Sequence, residues 1–350
     1  MQNFSKVKSY FITFPLQEIN NFSMLKEFSY KGELFLKSEK KYQIAYKTID
    51  LMLSTINVTQ ADFIYLTLSF VTDLINSQSA EFILALYDYA ISKANKKVNL
   101  IIDIKIFDIK LLNYEVFNKI VSSTATAFSL ILTLVINKKD INHVEFFLNK
   151  YRERLLSDTI KNTCISYYYN FEDDISNIKN DLKRLVSFGF FNIFICNEED
   201  TCGYSKMDNQ SRNIIKELGI YRKQYLKEET YVLPFDSNKK AWGIYENGNS
   251  EQGSLCFNKE HLYVTIEGDL YFCGPSSIFG ERFKIGNVDT GYNLEKTEAL
   301  VKESMPNNCL TCVYKMKCLR SCPVIIEQLG DKYNSIDFCN IQKEFLTEGK

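Results

Sequence analysis

Between residues 60 and 197 the chain alternates short apolar runs, rich in β-branched and aromatic residues, with amphipathic stretches. The runs predict strands at Phe63–Phe70, Val98–Ile106, Ser129–Ile136, Cys164–Asn170 and Asn192–Asn197. Between them apolar positions recur at helical spacing. Val144, Phe147, Leu148, Tyr151 and Leu155 share one face, and Ile175, Ile178, Leu182, Leu185 and Val186 share another before a stop at Gly189. Such alternation predicts βα units around a parallel sheet, and the apolar character of the strands predicts burial on both faces. A strand over Ser9–Phe14 and a helix over Lys41–Leu53 add a unit at the front, for a total of about six. Periodicity alone fits a six-unit partial barrel and a doubly wound open sheet equally well. A helix over Asn209–Leu226 leads out of this α/β region, and Asp236–Ser254, with Asn247, Gly248, Asn249 and Ser250, reads as a loop-rich junction. The chain therefore divides into residues 1–235 and 236–350. No repeat of fixed period occurs.

With 350 residues, 45% of them hydrophobic and 14% aromatic, the chain is long enough and apolar enough for substantial cores. Its 42 basic and 43 acidic side chains nearly cancel and form no long block, so electrostatics gives no case for nucleic acid or an anionic membrane. The segment Met1–Lys8 has no apolar export core, and the longest apolar run, Ala125–Ile136, is too short to span a bilayer. A cytoplasmic protein is the expectation.

The cysteines change the picture. None precedes Cys164, and seven of the ten fall between Cys256 and Cys339. In a reducing compartment such clustering points to metal ligands rather than disulfides. Cys256 is followed after eleven residues by Gly268 and after four more by Cys273. The second group runs Cys309-x2-Cys312-x5-Cys318-x3-Cys322-x16-Cys339. A Cys-x2-Cys turn aims two sulfurs at one centre and serves zinc and iron–sulfur clusters alike. Seven thiolates exceed the four that one zinc takes and fall short of two such sites, whereas a [4Fe–4S] cluster can keep an iron open. A zinc ribbon over Cys309–Cys322, or buried unliganded thiols, are the alternatives. Cys322 precedes Pro323, as in the bacterial ferredoxin run where that cysteine ligates the neighbouring cluster. Crossed ligation of that kind would put Cys309, Cys312, Cys318 and Cys339 on one cluster and Cys256, Cys273 and Cys322 on the other. Cys164 and Cys196 lie in apolar strands and read as core residues, while Cys202, on the loop after a strand, is within possible reach of a cluster.

The Cys-x11-Gly-x4-Cys and Cys-x2-Cys-x5-Cys-x3-Cys-x16-Cys elements together resemble the SPASM domain, which closes many radical-SAM enzymes that modify ribosomally made peptides or activate sulfatases. The βα pattern ahead of them is similar to the family's partial (β/α)6 barrel. The resemblance implies a barrel over 1–235, a SPASM domain over 236–350, two auxiliary [4Fe–4S] clusters and the crossed ligation above. The chain also departs from the family. The loop Pro15–Phe28 has no Cys-x3-Cys-x2-Cys motif to hold the cluster that chelates S-adenosylmethionine, and Val71-Thr72-Asp73-Leu74 stands where the family has a Gly-Gly-Glu-Pro segment. The chain thus resembles a pseudo-radical-SAM member, and neither S-adenosylmethionine as a cofactor nor its cleavage is expected.

One of two histidines, His261, stands near the position where some family members have a fourth cysteine for the first cluster. It is either a strand-end polar residue or an imidazole ligand of the Rieske type, and a third possibility is an open iron that takes a substrate or partner group. His143 reads as a solvated helix residue. The resemblance implies a non-canonical partner or substrate-binding subunit whose partners are a precursor peptide, a radical-SAM enzyme or an ATP-grasp ligase. An enzyme working through an open cluster iron, or a purely structural or electron-transfer protein, are the alternatives; no acid–base pair or catalytic triad stands out.

Overall fold

The computed structural model describes residues 7–16, 36, 38–72, 75–95, 97–106, 109, 113–124, 130–137, 140–151, 163–190, 192–197, 209–226, 230–232, 261–293, 295–296 and 299–300, with isolated positions beyond. Strands and helices alternate: β1 (Val7–Pro15), α1 (Lys41–Asn57), β2 (Phe63–Thr72), α2 (Ser77–Lys93), β3 (Val98–Ile106), α3 (Tyr114–Thr124), β4 (Leu130–Asn137), α4 (Ile141–Tyr151), β5 (Cys164–Tyr169), α5 (Ile175–Ser187), β6 (Asn192–Asn197), α6 (Asn209–Tyr225) and β7 (Thr230–Val232). After these come β8 (His261–Val264), β9 (Asp269–Tyr271), a 3-10 segment Pro275–Arg282, β10 (Lys284–Asn287) and β11 (Gly291–Tyr292). Local chemistry sets several boundaries. Asn76 and Ser79 cap α2 reciprocally, and the Asp174 side chain accepts the Ser176 N–H at the start of α5. Helix α5 stops where the chain turns at Gly189, whose φ is 97°.

The described strands form one sheet in the order β11-β10-β9-β8-β1-β2-β3-β4-β5-β6-β7. From β1 to β7 every neighbouring pair is parallel and follows the order of the sequence. Each crossover therefore steps the same way. Because parallel crossovers are right-handed, the helices collect on one face, whereas a doubly wound sheet must reverse its strand order. The wall is singly wound. It is also steeply staggered: one row of partners runs from Pro15, the last residue of β1, through Val71, Lys105, Thr133 and Cys164 to Asn192, the first residue of β6.

The helix-facing positions are almost dry. Ile12 and Phe14, Leu66 and Leu68, Ile102 and Ile104, Leu132 and Leu134 are buried with Phe82, Leu86, Phe117 and Phe147 of the helices. Phe14 stacks on Phe70 and meets Phe82 edge-on. Val144, Phe147 and Leu148, and Ile178, Leu182 and Leu185, are buried as their spacing predicts; Leu155 lies outside the described residues. The expectation of two apolar faces is corrected, because the second face carries Thr13, Thr67, Ser69, Asp103, Lys105, Thr133 and Ser166. A run such as Val98–Ile106 reads as apolar on average, yet its Asn99, Asp103 and Lys105 all fall on alternate positions. The described helices that connect β1 to β7 cover one face.

The four strands after residue 260 extend this sheet. β8 runs parallel to β1, with Phe11, Ile12 and Thr13 opposite His261, Leu262 and Tyr263. β8 and β9 form a hairpin whose turn is closed by Gly268 N–H donating to Thr265 O at 3.0 Å. Gly268 has a φ of 82°, and a Cβ there would come within 2.7 Å of Val288 Cγ2. Only glycine meets both demands. The β10–β11 turn is fastened to α1 by a Lys47–Asp289 ion pair and a 2.7 Å hydrogen bond between the Thr55 and Tyr292 hydroxyls. Among the described residues no helix is long and apolar enough to cross a membrane.

Candidate functional site

The carboxyl ends of parallel strands are where α/β sheets bind ligands, because loops converge there and no helix covers the strand ends. In this chain the polar face rises to that rim. Asp103 on β3 is its centre: one carboxylate oxygen accepts the Ser69 hydroxyl of β2 at 2.9 Å, and the other accepts the Thr133 hydroxyl of β4 at 3.1 Å. Lys105 lies two residues further along β3, next to the strand's last residue and half-buried. On the β8 side, His261 Nε2 lies 2.9 Å from the Thr13 hydroxyl and its ring meets Phe11 edge-on.

Two groups on this face are electrically perturbed. Burial pushes the His261 imidazole down to about 3, and the Lys105 charge acts in the same direction, so the ring is neutral near pH 7. Burial pushes the Cys164 thiol up to about 12; Asp103 adds to the rise and Lys105 opposes it. The Lys105 ammonium is thus felt on β8 and on β5 alike. Cys164 is half-buried on the polar face, with Ile165 taking the helix-side position, which corrects its assignment to the core. The period of two explains the difference, since Cys164 shares a register row with Thr133 and Lys105. Its raised value makes it a thiol rather than a nucleophilic thiolate.

Of the seven predicted cluster ligands, Cys273 and Cys312 belong to the described residues. Cys273 follows β9 by two residues, is half-buried against the hydrophobic core, and its carbonyl accepts the Ser276 hydroxyl at 2.7 Å. Cys312 is half-buried between exposed neighbours. Neither is in a disulfide. Cys256, Cys309, Cys318, Cys322 and Cys339 lie outside the described residues, as does Cys202, while Cys196 belongs to β6. Among the described residues no three His, Cys, Asp or Glu side chains gather as a metal site. The hairpin pairs Tyr263 with Tyr271 and Val264 with Leu270, and Cys273 follows the end of β9. Exposed His143, on α4, is the solvated helix residue the sequence predicts.

Sequence reasoning missed Thr13, Ser69, Asp103, Lys105 and Thr133. The available signal was the alternation of Asn99, Asp103 and Lys105 inside an apolar run, which marks one polar face of a strand.

No family model and no curated protein matches this sequence. Solved structures do share its fold. anSMEcpe with bound AdoMet aligns over 97% of this chain and 96% of its own at a TM-score of 0.63 and 12% identity. The same protein with bound AdoMet and the Cp18Cys peptide aligns over 98% and 96% at 0.65 and 12%. Streptococcus suis SuiB bound to S-adenosylmethionine aligns over 94% of this chain and 74% of its own at 0.53 and 10%.

Proposed function

We propose that this chain is an iron–sulfur protein of peptide maturation: a degenerate radical-SAM-like partial barrel over residues 1–235 joined to a SPASM domain over 236–350. It acts as a substrate-binding or partner subunit for a modifying enzyme of the radical-SAM or ATP-grasp type. The observation that carries the reading is a polar sheet face at the strand ends, free of helices among the described residues, within a fold shared along 98% of the chain with a protein that holds AdoMet and a peptide. The stagger from Pro15 to Asn192 supports the barrel, because closing a parallel sheet requires such a shear.

The donor set fits two [4Fe–4S] clusters. Cys256, Cys273 and Cys322 would hold the first, with its fourth position open or taken by His261, and Cys309, Cys312, Cys318 and Cys339 the second. His261 suits that role chemically, since its neutral ring is the ligating form. When bound, the clusters supply electron transfer or an open iron position. The structural neighbours carry AdoMet, but this chain has no cysteine from Pro15 to Phe28 to anchor the cleaving cluster. Its barrel is therefore read as a scaffold for substrate.

The deciding experiment is anaerobic purification from the native source with peptide sequencing of what co-elutes, together with assay of the reconstituted protein for 5′-deoxyadenosine. A bound peptide with no adenosylmethionine cleavage is the expected result. Cleavage at ordinary enzyme rates by the protein alone would overturn the scaffold reading.

A further inference from the structure

Lys105 and Asp103 stand two residues apart on one face of β3, roughly 7 Å along the strand. They do not pair. Asp103 instead takes hydroxyls from Ser69 and Thr133, strand neighbours on either side. The consequence falls on Lys105, which is half-buried and has no hydrogen-bond or ion-pair partner among the described residues. A partly desolvated ammonium without an anion is costly, and a protein that keeps one at a ligand-binding rim holds a place for the anion.

The surroundings narrow the chemistry. The register row through Lys105 offers Val71 on one side and Thr133, then Cys164, on the other. Asp103 lies one step below and repels a second negative charge placed deeper in the face. One compact anion at the rim, beside the Val71 side chain and with the Thr133 hydroxyl already donated to Asp103, matches this arrangement better than a multiply charged phosphate.

We propose that Lys105 is the recognition site for a carboxylate of the bound peptide, either an aspartate or glutamate side chain or the peptide's C-terminus. This rests on the peptide reading above and adds to it the substrate class. Lys105 acts as a point charge, Thr133 borders the site on the next strand, and Asp103, held by two hydroxyls, keeps the ammonium from collapsing onto it.

The test uses the full chain with its clusters reconstituted and reads Lys105 directly, by its rate of acylation with a lysine-selective reagent followed by peptide mass mapping. Three blocked pentapeptides serve as probes: one with a central Asp and an amidated C-terminus, its Asn counterpart, and an all-Ala peptide with a free C-terminus. Protection of Lys105 by the Asp probe or the free C-terminus, with none from the Asn probe, is the expected result, and it tells the two carboxylate sources apart. Binding of the effective probe should weaken about tenfold or more in Lys105→Met and largely survive in Lys105→Arg. Equal protection by the Asn probe, or protection by inorganic phosphate or adenosylmethionine but by no carboxylate, would overturn the proposal. If a native peptide co-elutes and binds Lys105→Met as tightly as the parent, the carboxylate site falls while the peptide reading stands. If carboxylate probes protect Lys105 but no peptide co-elutes, the site stands and the peptide reading falls.

Discussion

His261 and Thr13, 248 residues apart in the chain, meet across two parallel strands with the imidazole Nε2 2.9 Å from the hydroxyl. The bond ties the cysteine-bearing hairpin to the first strand of the α/β wall. Thr13→Val keeps the shape, removes the hydroxyl and leaves a largely desolvated ring nitrogen without its partner. A loss of about 1–3 kcal/mol is expected from that orphaned group, read as a lower urea midpoint with unchanged slope. A midpoint unaltered by the substitution would mean the two strands are held together by backbone pairing alone.

Gly268 offers a sharper test of the hairpin. Gly268→Ala must bear both a positive φ and a Cβ close to Val288. The expected cost is on the order of 1–3 kcal/mol. Adding Val288→Ala should relieve the crowding while the backbone strain remains, so thermal denaturation of the double variant should recover only part of the loss.

Cys164 is predicted to be chemically quiet. With its thiol pushed up to about 12, against an ordinary value near 9, the folded state holds the proton longer than the unfolded state does. Stability from this group is therefore intact below pH 9 and declines as pH rises from 9 towards 12. At pH 8, native protein should alkylate Cys164 far more slowly than urea-unfolded protein, as mass mapping of the peptide that contains it would reveal. Rapid native labelling would place the thiol in a wetter setting than the desolvation that raises its pKa implies.

The crossed ligation has a clean genetic signature. Reconstituted protein should contain about eight irons per chain. Cys322→Ala should resemble Cys256→Ala and Cys273→Ala, losing one cluster while the other keeps its paramagnetic signal on reduction. Cys309→Ala and Cys339→Ala should damage the second cluster instead, with a larger fall in soluble yield if binding it contributes more folding free energy. A Cys322→Ala protein that behaves like Cys309→Ala would assign the four closely spaced cysteines to one centre.

The order of the βα units was written in the sequence, since apolar spacing at 3.6 residues needs nothing beyond the chain to be recognised. Ile178, Leu182 and Leu185 are buried, and α5 stops at Gly189, for reasons contained within about a dozen residues. The seven-thiol spacing was equally explicit, though five of those cysteines lie outside the described residues. Strand order was not legible, because periodicity records which face of an element is apolar and says nothing about its neighbours. Only the pairing of β1 with both β2 and β8 made the wall singly wound and carried the sheet past residue 260. The polar rim was hidden for a related reason. Thr13, Ser69, Asp103, Thr133 and His261 come from five strands, each of them mostly apolar in its run. Their common face exists only once hydrogen-bonded register sets them side by side, and that register is a property of the sheet rather than of any one segment.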